Sequence, residues 1–140
     1  MLREEVVEKY RNDAQGLAEY FSEKYFAIHK RVFPINPFQI LKDLNIKFVF
    51  KNFKNLEGLY LPATEESPIE LVAINANRPI TRQRFSAAHE LCHSLKDSNS
   101  SSLVCKIKSK DFIEQYAESF AAALLMPKDE LQKQITYKSR

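Results

Sequence analysis

The apolar residues of this 140-residue chain change their spacing twice, and that order limits the fold more than any single residue does. Over residues 4–30, Val6, Val7, Tyr10, Ala14, Leu17, Ala18, Phe21, Tyr25 and Ile28 recur at three- and four-residue steps, which predicts one long N-terminal helix. Pro34-Ile35-Asn36-Pro37 ends it, because proline disfavours helix in the residue before it. A short helix over 37–44 follows, started by Pro37 and carrying Ile40, Leu41 and Leu44 on one side. Three strand-like runs come next: IKFVF (46–50), GLYLP (58–62) and IELVAIN (69–75). Polar loops separate them, which predicts a three-stranded antiparallel meander. Helical spacing returns over 81–97, with Thr81 as N-cap, and over 110–126, with Ser109 as cap and Pro127 as stop. A last short helix is expected over 128–136. Helix, small sheet, then two helices is the order of an α+β fold.

Size and charge narrow the class further. One hundred and forty residues suit a single domain spanning 1–140, with one core. A net charge of +3 with no lysine or arginine stripe gives no reason to expect nucleic-acid binding. The two cysteines, Cys92 and Cys105, are too few for a disulfide framework. The charged start MLREEVVEKYRND is unlike a secretory signal, and no apolar run reaches the ~18 residues that span a bilayer. These features predict a soluble cytoplasmic protein.

The chemistry lies in RFSAAHELCHSL (84–95), where His89, Glu90 and His93 form H-E-x-x-H. On a helix, His89 and His93 are about 40° apart around the axis, one above the other, as two imidazole ligands of one metal must be. Glu90 is about 100° round from His89, placed to act as general base on a water rather than as an equivalent ligand. Phe85, Ala88, Leu91, Cys92 and Leu95 form the apolar stripe beside them, so the histidines sit at the border of the core. Cys92 falls on that stripe and reads as a packed thiol.

A third ligand is harder to find. His29, sixty residues upstream, reads as an ordinary half-buried helix residue, and Asn99 stands where a metzincin would carry histidine. Asp97 lies on the same helix as the motif, and one rod cannot easily complete a tetrahedron. In IEQYAESFAAALLMP (113–127), Glu114 and Glu118 share a face with Ala117 and Ala121, whose small side chains permit a close helix approach. Spacing does not choose between the two glutamates.

NANRPITRQRFSAAHELCHSL (75–95) and EQYAESFAAALLMPKDEL (114–131) resemble the two motif runs of the ImmA/IrrE-type metallopeptidases, small gluzincin-like proteins often encoded beside helix-turn-helix repressors. The resemblance implies a zincin-like fold with the H-E-x-x-H helix packed on a glutamate-bearing helix. It implies Zn2+ held by His89, His93 and Glu114, with Glu90 as the catalytic base. Glu118 falls where the family usually has Asn, and is implied to orient a ligand imidazole. Cys92 departs from the family's glycine. The implied substrate is a helix-turn-helix transcriptional repressor, cut to derepress stress or mobile-element genes; no membrane or direct nucleic-acid contact is implied.

Several roles stay open at this stage. A metal-binding regulatory or interaction module without turnover would use the same helix pair, but a purely structural site has no task for Glu90. Tyr60 and Tyr116 are candidate oxyanion stabilisers by residue type only, and both suit a core. Arg82 and Arg84 are expected to brace the helix. IELVAIN, which leads into the motif helix, is the expected edge strand for substrate pairing.

Overall fold

A computed structural model describes residues 2–97, 103–106 and 112–127. Two helices, α1 (Glu4–Lys9) and α2 (Ala14–Phe26), stand where one long helix is expected. The interruption has a local cause. The Asp13 side chain accepts a 2.9 Å hydrogen bond from the Gly16 amide, capping α2 and drawing the backbone out of helix at the Asn12-Asp13 pair. The apolar spacing continues across the break, so Val6 and Tyr10 still pack on the core that Leu17, Ala18 and Phe21 enter. Helix α3 (Pro37–Asp43) starts as its sequence predicts, with Pro37 in the first turn and the Asn36 carboxamide accepting from the amides of Phe38 and Gln39.

The sheet is mixed, not an antiparallel meander, and has four strands among the described residues. These are β1 (Lys47–Lys51), β2 (Leu56–Leu61), β3 (Leu71–Asn75) and β4 (Leu103–Lys106), in the order β1-β3-β2-β4. β3 runs parallel to β1 and antiparallel to β2. Composition accounts for the order. The run LVAIN has no charged residue on either face, and its last four side chains are buried, so it takes an interior position. β1 begins and ends in exposed lysines and takes an edge, where charge discourages further pairing. IELVAIN is therefore not an edge strand: both its neighbours are occupied, and no substrate backbone can pair with it.

Helix α4 (Ile80–Lys96) packs across β2 and β3, and α5 (Phe112–Leu125) packs against both α4 and α2. Thr81 lies inside α4, whose N-cap is Pro79 with no side-chain cap bond. A different device replaces the cap. Buried Asn75, at the end of β3, donates to the carbonyls of Phe53 and Leu56 and accepts from the Asn77 amide, fixing the turn that enters the helix. The Gln83 carboxamide then donates to the Arg78 carbonyl at 3.0 Å. Glu57 on β2 accepts from Arg78 at 2.7 Å and from Arg82, clamping the start of α4 to the sheet. Burial pushes the Glu57 carboxyl up, but the two guanidinium groups outweigh it and hold it below its usual range. No helix among the described residues is long and apolar enough to cross a membrane. Ser109 and the expected helix over 128–136 lie outside the described residues.

Candidate metal centre

The second half of α4 is buried on every side, from Ser86 to Leu95. Its two histidines follow one turn apart, with ring centroids 4.9 Å apart and the rings nearly perpendicular. Glu114, in the first turn of α5, faces both. One carboxylate oxygen is 2.9 Å from His89 Nε2, and the other is 2.9 Å from His93 Nε2. α5 packs against α4, and its Ala117 and Ala121 are small and fully buried, as a close helix approach requires.

His93 is also held from behind. Its Nδ1 lies 3.1 Å from Asp97 Oδ2, four residues on, and Lys96 approaches the other Asp97 oxygen at 3.4 Å. Burial opposes a charge on His93, but hydrogen bonds to Asp97 and Glu114 and the nearby Glu90 charge win, and its pKa is pushed up to about 9. His89, His93 and Glu114 offer ligand atoms within 4.8 Å of one another. Two histidine nitrogens and one glutamate oxygen, with a further position left over, is the donor set of a catalytic zinc site. The residues fit the group.

Glu90 is 1% exposed and lies against β2. There the backbone comes so close that a Cβ on Gly58 would sit 2.7 Å from Glu90 Oε2 and 3.1 Å from the Ala73 carbonyl oxygen. Only glycine leaves the Glu90 carboxylate its place. The chain has two glycines, and an isolated one in a strand-like run signals such an approach.

The remaining candidates separate cleanly. Glu118 is exposed on α5, and the carboxylate that orients an imidazole is Asp97 instead. The i,i+4 spacing of His93 and Asp97 was the available signal for it. Tyr60 is fully buried and donates its hydroxyl proton to Glu70 at 2.5 Å, where Ser94 also donates; Tyr116 is buried and donates to the Tyr10 carbonyl at 2.6 Å. Both tyrosines are core residues with their polar tips used. Cys92 is buried in the core, which pushes its thiol pKa up and keeps it unreactive. His29 is half-buried after α2, 3.7 Å from Asp43 and stacked on Tyr25. Arg82 braces, as expected, while Arg84 lines a cleft on the other side of α4.

A family model described as Peptidase_M78, IrrE N-terminal-like domain, matches residues 41–139. A comparison with curated proteins gave no match.

Proposed function

The chain belongs to the IrrE N-terminal-like domain family, a metallopeptidase-type family, and from that premise we propose that it is a zinc-dependent endopeptidase that cuts a helix-turn-helix transcriptional repressor in the cytoplasm. The observation that carries the peptidase reading is the buried convergence of His89, His93 and Glu114 with Glu90 one residue along the same helix. His89 Nε2, His93 Nε2 and Glu114 would hold the metal. Bound there, zinc would polarise the scissile carbonyl and acidify a water.

The protein side of the reaction follows from named groups. Asp97 accepts from His93 Nδ1, which fixes the ring and turns Nε2 toward Glu114. Glu90 accepts a proton from the water that attacks the carbonyl carbon, and later gives it to the leaving amine. The C–N bond breaks as that proton arrives, so Glu90 ends the cycle ionised, as it began. β4, which ends the strand order beside β2, would be the strand that pairs with an extended substrate, the role that interior β3 cannot take.

The repressor target rests on the family resemblance of the two motif runs, and a narrow substrate suits a protease that shares a compartment with its host's proteins. The test is cleavage of a purified helix-turn-helix repressor by zinc-loaded protein, compared with Glu90→Gln. Cleavage should fall by about 10²–10⁴-fold in the variant while zinc content is unchanged. A repressor left equally intact by both proteins, with zinc bound in both, would instead favour a metal-binding module that holds its partner without cutting it.

A further inference from the structure

A half-open cleft of about 400 Å³ lies between the end of α2 and α3, away from the metal centre. Its walls are apolar: Phe26, Phe33, Ile35 and Ile40. Lys30 and Arg84 are the cations among its lining residues, which include no carboxylate. Arg31 stacks over the Phe26 and Phe33 rings at 5.8 and 4.9 Å, behind the same wall. Asp43, on the same helix as Gln39 and Ile40, is engaged by the Tyr25 hydroxyl and by Gln39, with His29 3.7 Å away. Every lining residue except Arg84 precedes residue 41, so the cleft is built by the part of this chain outside the family match.

We infer that this cleft binds a small carboxylate with an apolar body. The size is within the range of small-molecule sites, roughly 300–1,000 Å³, and the pattern is theirs: apolar walls with a few polar groups at one end. The charge selects the sign of the ligand. Arg84 forms no ion pair among the described residues, and its planar guanidinium matches a carboxylate with two parallel hydrogen bonds. Lys30, exposed at the rim, adds long-range attraction. Arg84 also stands on α4, five residues before His89, so an occupied cleft touches the helix that carries the metal centre.

The probe is octanoate, titrated into the purified chain below its aggregation threshold and followed by amide and methyl NMR shifts, with octanamide as the neutral control. Saturable one-to-one binding is expected, with shifts at Phe33, Ile35, Ile40 and Arg84. Octanamide should bind about tenfold more weakly or worse, because it lacks the charge that Arg84 meets. Arg84→Gln and Lys30→Gln change half-exposed and exposed side chains; the first should cost about tenfold and the second less. Equal binding of acid and amide would overturn the proposal without any variant. So would unchanged affinity in Arg84→Gln, shifts confined to His89 and His93, or a response that never saturates.

Discussion

Glu57 and Glu114 both reach α4 from a neighbouring element: Glu57 from β2 meets it at Arg78 and Arg82, and Glu114 from α5 meets it at His89 and His93. The first cluster is complete in itself. Its charges are opposite and fixed, arginine stays protonated at any working pH, and Arg82 is half-exposed, so the clamp is screened by solvent. The second cluster is built from groups whose charge depends on bound protons. Its carboxylate is buried against imidazoles, which are cationic only while they hold protons and which a cation could replace as its counter-charge. One end of the helix is thus a fastening, and the other a binding site with the same outward geometry.

The largest effect should come from breaking the binding end. Glu114→Gln keeps the shape of α5 but removes the anionic ligand, leaving two buried imidazoles facing a neutral amide. Zinc affinity, measured by competition with a chromophoric chelator, should fall by more than the roughly 10–100-fold typical of losing an outer partner. Retained affinity would mean that Glu114 is not a ligand. Gly58→Ala is the next step down. Its added methyl meets the end of the Glu90 side chain, which can swing, and the Ala73 carbonyl, which cannot easily move. Stability should drop by about 1–3 kcal/mol. Peptidase activity should fall further than that loss explains while zinc affinity holds, because the displaced group is Glu90 and not a ligand.

The two ends also respond to pH in opposite directions. His93 has a folded-state pKa near 9, above its ordinary 6.5, so the stability it contributes is fully present below about pH 6.5 and is lost as pH rises through 9. Glu57 is held below its ordinary 4.5, so its contribution is present above that value and is lost on acidification. Urea unfolding of chelator-treated protein should therefore show a loss on the order of 3 kcal/mol between pH 6.5 and 9.5. Zinc bound there would take the place of the His93 Nε2 proton, so binding should release protons and the alkaline loss should disappear. Calorimetry in buffers of different ionisation enthalpy reads the proton count; a count of zero at pH 7 would contradict the raised His93 value.

The same contrast explains what could be read from the sequence. The motif helix, its two imidazoles and Glu90 were legible because all three lie on one element, where spacing alone sets direction. Glu114 was legible only as one of two glutamates, since a contact between helices depends on their rotation, which burial of Ala117 and Ala121 decides in three dimensions. Asp97 is a poor third ligand because it shares a helix with both histidines, yet the same spacing lets it reach the far nitrogen of His93. The strand order was not legible at all. Three short runs and two short loops satisfy a meander locally, and only competition for the buried centre puts β3 between β1 and β2. At the N-terminus, helical periodicity outlasted the helix, because the Asp13 cap interrupts the backbone hydrogen bonds without disturbing which side chains face inward.

The smallest effect should fall on the fastening end, where two guanidinium groups share one carboxylate. Arg82→Gln removes one of two guanidinium groups from Glu57, but Arg78 remains at 2.7 Å and is the more buried of the two. Water can solvate what Arg82 leaves, and an exposed pair of this kind is worth about 0.2–1 kcal/mol. Thermal unfolding should shift by a few degrees at most, the shift should vanish in high salt, and zinc affinity should stay within about twofold. A large loss of zinc affinity would mean that the start of α4 sets the geometry of His89 and His93, and that the two ends are one coupled device rather than a brace and a site.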